Sequence, residues 1–356
     1  MQDPLYFPRA DYAAKLVSSL KDGITHAFTL FAPRRMGKTE FLLKDIVPLA
    51  EKSGFNTFYF SFMDSAAPAA DFQAALARFA AEIQTGGKAK TLIGSISKVD
   101  ILGVGIERQT ANEAMPRLSE LIGMIAADNR PSLLLLDEVQ ELARIGHTEG
   151  LIKSLRTGLD IHKDRIKTIF TGSSTNGLRA MFNDNKAPFF HFAHALDFPH
   201  LGREFTDFLA DTYQERTGKQ LDHDALYRAF EAMRHTPLYM RAAIQDMILN
   251  PALSIGQATD ARIAQMHENS NYPALWQGLT AMEQLILQQA AQGNAALYSS
   301  ETRRAIAERA GLDAISPAVI QGNIRKLERK ELITKSGGAW VVNNPLFQTW
   351  IIEQMM

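Results

Sequence analysis

The stretch Phe31-Ala32-Pro33-Arg34-Arg35-Met36-Gly37-Lys38-Thr39 decides the fold of this chain. The residues before it, Ala27-Phe28-Thr29-Leu30-Phe31, form an apolar run that is typical of a buried strand, and residues 40–46 carry helical periodicity. A strand, a loop that ends in Gly-Lys-Thr and a helix together form the context that a phosphate-binding loop requires. In such a loop, backbone N–H groups and the positive end of the helix converge on the phosphates.

Residues of this loop are predicted to surround the phosphates of a nucleotide. Lys38 is expected to reach the β- and γ-phosphates, and the Thr39 hydroxyl is expected to ligate Mg²⁺. Ala32 stands where such loops usually carry glycine, and its methyl group is tolerable if its φ stays negative. A chance Gly-Lys-Thr before an ordinary helix is the competing interpretation. The other loop residues predicted to bind the nucleotide are Pro33, Arg34, Arg35, Met36, Gly37 and Glu40.

A second motif, Ser132-Leu133-Leu134-Leu135-Leu136-Asp137-Glu138, joins a leucine run to two carboxylates. Four consecutive leucines bounded by Pro131 predict a fully buried parallel strand. Open α/β sheets bind ligands beyond the carboxyl ends of their strands, which is where the two acids would lie. Asp137 is predicted to hold Mg²⁺, directly or through water, and Glu138 is the predicted base that polarises the attacking water. Alternatively, Asp137 is a helix N-cap and Glu138 is a solvated first-turn carboxylate.

A third apolar run, Lys167-Thr168-Ile169-Phe170-Thr171-Gly172-Ser173-Ser174, predicts another short buried strand that ends in small hydroxyl residues. A polar side chain at its end would lie between the first and third strands, close to the γ-phosphate. Ser173 is predicted to sense the γ-phosphate, and it is the third predicted catalytic side chain, after Lys38 and Glu138. Alternatively, Ser173 or Ser174 caps a helix that begins near Thr175.

These motifs resemble those of the archaeal-type ATPases in the STAND branch of AAA+ P-loop proteins. The resemblance implies a parallel sheet of the ASCE type, a helical lid and a C-terminal winged helix. It also implies adenine as the base, with Arg9 in a segment near it. The matching residues are Pro33-Arg34-Arg35-x-Gly37-Lys38-Thr39, Leu136-Asp137-Glu138, Gly172-Ser173-Ser174, Ala187-Pro188-Phe189-Phe190 and Asn344-Pro345-Leu346-Phe347.

The chain departs from this family in its arginines. Where many members read Pro-Leu-Tyr-Gly-Arg, this chain reads Pro188-Phe189-Phe190-His191-Phe192, so the usual arginine is missing. In the lid, Arg234 or Arg241 could contact phosphate or could be solvated. Weak or partner-dependent hydrolysis is expected, because an arginine finger can supply ~10³–10⁵ in rate. Other possible donors, from the same subunit or a neighbour, are Arg144, Arg156, Arg179 and Arg203.

The fold class predicted from the whole chain is α/β, with three domains. Residues 1–200 form the P-loop ATPase core, in which residues 93–108 alternate like a hairpin insertion. Residues 201–272 form an all-helical lid. Residues 273–356 form a winged-helix domain whose first helix opens with the capping box Thr280-x-x-Glu283.

The last domain carries the predicted DNA contacts. Ser300 is expected to cap its second helix, and Ser316-Pro317 is expected to begin a recognition helix that runs to Lys330. Acidic residues dilute its positive face and winged helices also bind proteins, so double-stranded DNA and a protein partner are both candidates. Side chains on this helix that can reach phosphates and base edges are Gln321, Asn323, Arg325, Lys326 and Arg329.

Composition limits the remaining possibilities. The chain has 356 residues, 46% of them hydrophobic, which is enough for two or three domains with cores. It has no cysteine, so disulfides and cysteine-ligated zinc are excluded. No apolar run approaches the ~20 residues that span a bilayer, and the first residues lack the features of a secretory signal, so a cytoplasmic location is expected. With 38 basic and 39 acidic residues, nucleic-acid binding would need a local patch.

The preferred functional hypothesis is a switch that binds and hydrolyses ATP with Mg²⁺ and whose nucleotide state controls the winged helix, acting on DNA. The alternative is a STAND-type signalling or assembly scaffold, with weak or no ATPase activity. Its winged helix would hold a protein partner, or the chain would form a homo-oligomer. Neither hypothesis involves a membrane.

Overall fold

The computed structural model describes residues 3–63, 67–85, 92–93, 116–144, 148–173, 181–182, 187, 189–268, 271–294, 296–330, 332–336 and 339–355. The chain divides into two compact units. The first comprises Met1–His223 with His235–Arg241, and the second comprises Asp224–Arg234 with Ala242–Met356. The predicted hairpin at residues 93–108 lies outside the described residues apart from Ile93. The predicted domain boundaries at residues 200 and 272 stay predictions.

The first unit is built of alternating strands and helices. Its strands are β1 (Ala27–Phe31), β2 (Asn56–Ser61), β3 (Leu92–Ile93), β4 (Ser132–Asp137), β5 (Ile166–Gly172) and β6 (His194–Asp197). Its helices are α1 (Ala10–Lys21), α2 (Lys38–Phe41), α3 (Val47–Lys52), α4 (Pro68–Gln84), α5 (Leu118–Ala126), α6 (Gln140–Arg144), α7 (Glu149–Ile161) and α8 (Arg203–Thr217). Helices α9 (His223–Ala232) and α10 (Pro237–Leu249) follow along the chain.

The six strands form one parallel sheet in the order β3-β2-β4-β5-β1-β6. β5 lies between β1 and β4, and Ile169 at its centre pairs with Phe28 on one side and Leu135 on the other. This order and the helices that flank the sheet confirm the predicted α/β fold class. Because all strands run the same way, the carboxyl ends of β1, β5 and β4 meet at one edge.

Both faces of the sheet are buried, which explains the leucine run in β4. Leu134 and Leu136 pack on one side with Phe170, and Leu133 and Leu135 pack on the other side with Ile169. All four leucines are fully buried, and each buried leucine side chain contributes about 1.5–3 kcal/mol. A continuous apolar run is therefore required here, since no side of the strand faces water.

The helical segment after the loop contains a π-helical turn. Leu42–Ile46 forms this turn between α2 and α3, whereas the sequence predicts a regular helix that begins at Glu40. Asp45 within the turn is buried, and its Oδ2 accepts hydrogen bonds from Tyr6 Oη at 2.6 Å and from the backbone N–H of Arg9 at 3.0 Å. The segment that precedes α1 is therefore fixed to the helix that follows the loop.

The second unit continues with helices and contains a small two-stranded sheet before its last helix. The elements after α10 are α11 (Ile255–Glu268), α12 (Tyr272–Gln277), α13 (Ala281–Ala291), α14 (Ser300–Ala310), α15 (Pro317–Arg329), β7 (Ile333–Ser336), β8 (Ala339–Val342) and α16 (Pro345–Glu353). β7 and β8 pair antiparallel, as a wing does. Ile320, Ile324 and Leu327 of α15 are buried at helical spacing, so this helix packs one face on the unit's core.

The sequence predicts three helix starts in this unit, and two of them are confirmed. Thr280 and Glu283 form the predicted capping box, and Ser316 caps α15 by accepting a hydrogen bond from the N–H of Val319. The prediction for α14 is wrong by one residue, because the N-cap is Ser299, whose side chain accepts from the N–H of Thr302, and not Ser300. Two adjacent serines made both positions chemically suitable. Helices α11 and α12 of this unit were not predicted from the sequence.

The close packing of α5 on α7 is predicted to depend on Gly158. A methyl group at this position would lie 2.8 Å from Ile122 Cδ1 and 2.9 Å from Ser119 Cα. We expect Gly158→Ala to lower the free energy of unfolding by about 1–3 kcal/mol, measured by urea denaturation. Gly150→Ala in the same helix is the matched control, because no atom lies within 4 Å of the added methyl. Equal stability of the two variants would contradict this packing.

Candidate nucleotide-binding site

The carboxyl edge of the sheet brings the loop and the leucine-strand motif into direct contact. Thr39 Oγ1 donates a hydrogen bond of 2.6 Å to Asp137 Oδ2, although the two residues are 98 positions apart. Thr39 lies in the first turn of α2, and Asp137 is the last residue of β4. The alternative in which Asp137 caps a helix is therefore excluded.

Asp137 is almost fully buried, at 1% exposure, and its carboxylate is saturated with donors. Oδ2 also accepts from Tyr59 Oη at 3.0 Å, and Oδ1 accepts from Thr171 Oγ1 and from the backbone N–H of Glu138 at 3.1 Å. Burial and the adjacent negative charge of Asp137 raise the pKa of Tyr59 well above its ordinary value, so this hydroxyl stays a donor. Tyr59 and Thr171 are site residues that the sequence analysis did not identify.

Glu138 follows directly in the left-handed region, with φ 53°. A non-glycine residue in this region is uncommon, and such backbone outliers cluster at functional sites. Its Oε2 accepts hydrogen bonds from Ser173 Oγ at 2.7 Å, from the Ser173 N–H at 3.1 Å and from Gln140 Nε2. The structure thus joins the predicted residues Glu138 and Ser173, and it adds Gln140, which the sequence analysis did not select.

These contacts set the charge state of Glu138. Burial alone would raise the pKa of this carboxyl group. The hydrogen bonds from Gln140 and Ser173, together with the positive charge of Lys38, outweigh burial and hold the pKa of Glu138 below its ordinary value. Glu138 is therefore an ionised acceptor. Its Oε1 accepts no hydrogen bond from the described part of the chain.

The loop itself has the backbone that a phosphate cradle requires. Gly37 has φ 87° and Arg35 has φ 70°, whereas Ala32 is not among the residues with positive φ. The methyl group of Ala32 is therefore tolerated, because the backbone at this position does not need the positive φ that favours glycine. Lys38 is buried, and its Nζ donates to the carbonyl oxygens of Ala32 at 2.7 Å and Pro33 at 3.0 Å. Burial lowers the pKa of Lys38, while Glu138 and Asp137 oppose that shift.

Arg9 supports the loop from the segment that precedes α1. Its Nη2 donates to the carbonyl oxygen of Met36 at 3.0 Å, and its guanidinium lies 4.5 Å from the centre of the Phe198 ring. Arg9 is only 8% exposed, and burial lowers its pKa. The structure therefore gives this side chain a structural contact with the loop. Its predicted proximity to adenine stays a prediction.

A cavity of ≈ 370 Å³ opens beside these groups, within the range of small-molecule sites. It is lined by Arg34, Arg35, Gly37, Lys38, Thr39, Glu40, Met63, Glu138, Pro237, Leu238 and Arg241. Most of the predicted nucleotide-binding residues thus share one cavity. Five predicted residues lie outside this lining, namely Arg9, Pro33, Met36, Asp137 and Ser173. Asp137 is reached through Thr39.

The arginines that the sequence analysis offered as phosphate contacts differ in whether they line the cavity. Arg241 lines the cavity, with Nη1 bound to Glu40 at 2.7 Å and Nη2 bound to Asp3. Arg156 pairs with Asp160 and packs 4.3 Å above the Phe192 ring, outside the cavity lining. Arg203 also lies outside that lining and has partners of its own. Arg179 and the side chain of Arg144 fall outside the described residues, and Arg234 belongs to the second unit.

On the second unit, most of the predicted DNA-contact side chains are exposed along α15. Asn323 is the exception, because it is half-buried and its Nδ2 donates to the Val319 carbonyl at 2.9 Å. Lys330 just beyond α15 forms an ion pair with the buried Glu283 at 2.8 Å, so it acts within the unit. The exposed members of the predicted set are Gln321, Arg325, Lys326 and Arg329.

Comparisons with known proteins support the fold. No protein-family model and no curated protein matches the sequence. The Walker-type ATPase of Pyrococcus abyssi is similar in structure, with TM-score 0.63, 16% identity and coverage of 98% of this chain and 96% of that chain. The ORC2 protein of Aeropyrum pernix in its ADP form gives TM-score 0.59, 15% identity and coverage of 99% and 97%. These similarities show that the chain shares the fold of these two proteins.

Two kinds of feature are absent from the described residues. No helix there combines the length and apolarity that crossing a bilayer would need. No group of three or more His, Cys, Asp or Glu side chains there is placed to hold a metal ion.

Lys38 is predicted to be essential for nucleotide binding. A charge-assisted hydrogen bond contributes about 1.5–3 kcal/mol, so losing two such bonds to phosphate should raise Kd at least about 100-fold. Isothermal titration of ATP into Lys38→Ala would measure this loss. Lys52→Ala, which removes an exposed lysine at the end of α3, should bind as the unchanged protein does. Tight ATP binding by Lys38→Ala would refute the loop assignment.

Proposed function

We propose that the chain is an ATP-binding and ATP-hydrolysing switch whose nucleotide state controls its C-terminal winged helix, which acts on DNA. The observation that carries this proposal is the convergence of Lys38, Thr39 and Glu138 on one cavity, with Asp137 bonded to Thr39. These are the groups that a triphosphate, its metal and an attacking water each require. The proposal further places the chain in the STAND branch, on the motifs described above.

The proposed reaction is attack of water on the γ-phosphorus. The water oxygen forms a bond to phosphorus, while the bond from phosphorus to the β–γ bridging oxygen breaks and its electron pair stays on ADP. Glu138 receives a proton from the water through Oε1, the oxygen that the described residues leave without a donor. The products are ADP and inorganic phosphate, and the proton on Glu138 returns to solvent.

The residues present fit a magnesium ion. Mg²⁺ takes oxygen ligands at 2.0–2.1 Å in octahedral geometry, so neighbouring ligand oxygens lie about 2.9 Å apart. Thr39 Oγ1 and Asp137 Oδ2 are separated by 2.6 Å, which a small displacement would adjust. Bound there, Mg²⁺ would neutralise charge on the triphosphate. Two protein oxygens suffice for such a site, since phosphate and water supply the remaining ligands.

The side chains of α15 support DNA as the partner of the second unit. Arg325, Lys326 and Arg329 are exposed on the face opposite the buried Ile320 and Ile324. Lys335 of β7 is exposed as well, so the wing adds a fourth cation. This arrangement suits contact with phosphates from both helix and wing.

The scaffold alternative rests on a different observation. The exposed basic residues of α14 are partly neutralised, because Arg304 pairs with Glu308 at 3.3 Å. Val319 and Val341 are large apolar side chains that are 44% and 38% exposed in this unit. A surface of mixed charge with exposed apolar side chains suits a protein partner better than it suits DNA.

Glu138→Gln is predicted to preserve ATP binding and to stop turnover. The amide keeps the size of the side chain and can still accept from Ser173, but it cannot take a proton from water. We expect hydrolysis to fall by ~10²–10⁴, with Kd for ATP changed by less than a few fold, as measured by phosphate release and titration calorimetry. The control is Glu149→Gln on α7, whose side chain is 89% exposed. Hydrolysis at the normal rate by Glu138→Gln would show that Glu138 is not the base.

DNA binding by the second unit is predicted to depend steeply on salt. With about four phosphate contacts, the slope of log K against log salt is about −3.6, so affinity should fall about 10²-fold between 50 and 200 mM salt. A gel-shift titration with duplex DNA, with and without ATP, measures this. Removing both Arg325 and Lys326 should reduce the slope by about 2, whereas Arg78→Ala on α4 should not change it.

Absence of any shift at low salt with ATP present would reject DNA binding. Size-exclusion chromatography of the same samples would then test the scaffold alternative, which predicts nucleotide-dependent association.

A further inference from the structure

The cavity contains more than one positively charged side chain besides Lys38, and their partners differ. Arg34, Arg35 and Arg241 all line it. Arg241 is held by the carboxylates of Glu40 and Asp3. Both carboxylates also pair with Lys44, at 3.3 Å from Asp3 and 2.7 Å from Glu40, so two cations and two anions form a neutral cluster. Arg241 therefore adds little positive field to the cavity.

Arg35 is oriented by an aromatic ring. Its guanidinium lies 5.1 Å from the centre of the Tyr239 ring, and its backbone has φ 70°. A cation–π contact of this kind fixes a guanidinium by about 0.5–1 kcal/mol at an exposed site. Arg35 therefore directs its charge toward α10.

Arg34 is different, because no carboxylate among the described residues forms an ion pair with it. Its Nε donates to Ser173 Oγ at 3.4 Å, and the same oxygen donates to Glu138 Oε2 at 2.7 Å. Its two terminal nitrogens form no hydrogen bond with the described residues. Arg34 is thus directed from the loop toward the predicted base, with the planar end of its guanidinium unused.

We propose that Arg34 is the charge-neutralising arginine of this enzyme and that it acts in cis, so that hydrolysis requires no arginine from a second subunit. This inference rests on the proposed ATPase function. Arg34 makes and breaks no covalent bond. Its guanidinium contacts the γ-phosphate oxygens with two N–H groups, in the bidentate geometry that lysine cannot provide.

The position of Arg34 explains why it would act on the transition state. Negative charge shifts onto the γ-phosphoryl and bridging oxygens as the bond to ADP breaks, and fixed donors beside those oxygens stabilise this charge. Ser173 binds both Arg34 and Glu138, so it holds the guanidinium and the base on the same side of the cavity. An arginine anchored on the phosphate loop is already present when the nucleotide binds.

The test compares binding with single-turnover hydrolysis in Arg34→Ala, Arg34→Lys and the exposed-arginine control Arg78→Ala. We expect Arg34→Ala to slow hydrolysis at least 100-fold, toward the ~10³–10⁵ of other arginine fingers, and to change Kd for ATP less than 10-fold. Arg34→Lys should keep part of the charge and remain at least 10-fold slower than the unchanged protein. Arg78→Ala should match the unchanged protein.

A mixing experiment separates action in cis from action in trans. Lys38→Ala keeps Arg34 but is expected not to bind ATP, and Arg34→Ala is expected to bind ATP without hydrolysing it. If Arg34 acts in cis, an equimolar mixture of the two variants stays as slow as Arg34→Ala alone. Recovery of hydrolysis in the mixture would show action in trans and would overturn the proposal.

The remaining outcomes distinguish this inference from the proposed function. Normal hydrolysis by Arg34→Ala, or loss of its ATP binding, overturns the catalytic role of Arg34 and leaves the ATPase proposal standing. Action in cis is also overturned if the unchanged protein binds ATP but does not hydrolyse it in the absence of a partner. An unchanged protein that does not bind ATP rejects the proposed function itself.

Discussion

The hydrogen bond from Thr39 Oγ1 to Asp137 Oδ2 joins the Gly-Lys-Thr loop to the end of the leucine strand. The order of the strands in the parallel sheet brings these two residues close enough to form it. A carboxylate that is 99% buried without donors would cost several kcal/mol. Asp137 avoids this cost because four donors reach it, namely Tyr59 of β2, Thr171 of β5, Thr39 of α2 and the backbone N–H of Glu138 just after β4. Strand order and site geometry are therefore linked, because β5 must neighbour β4 for Thr171 to reach the acid.

The neighbouring carboxylate, Glu138, differs from Asp137 although the two are adjacent in sequence. Because the backbone of Glu138 is left-handed, the alternation of side chains along β4 stops at this residue. Its side chain lines the same cavity as Lys38. Such a backbone costs about 1–3 kcal/mol, which the hydrogen bonds from Ser173 and Gln140 offset. Asp137 thus accepts hydrogen bonds from four donors, whereas Oε1 of Glu138 accepts none from the described residues. This asymmetry supports the proposal that Glu138, and not Asp137, accepts the proton from the attacking water.

Sequence alone predicted the parts of this arrangement that are encoded locally. The loop, the leucine strand and the capping box at Thr280 all follow from residue type and spacing. Tyr59 and Thr171 could not be assigned, because their roles depend on register between strands that are distant in the chain. β6 was missed since its four residues are mostly exposed and show no apolar alternation. The π-helical turn was missed because Asp45 acquires its partners, Tyr6 and Arg9, only in the folded protein.

An experimental structure with a non-hydrolysable ATP analogue and Mg²⁺ tests the central claim most directly. We expect the triphosphate to lie in the cavity against the backbone amides of residues 33–39, with Lys38 Nζ on β- and γ-phosphate oxygens. The metal should contact Thr39 Oγ1 on the side of Asp137, and a water should lie within hydrogen-bond distance of Glu138. A nucleotide bound elsewhere, or a triphosphate in the cavity that Lys38 and Thr39 do not touch, would contradict the account.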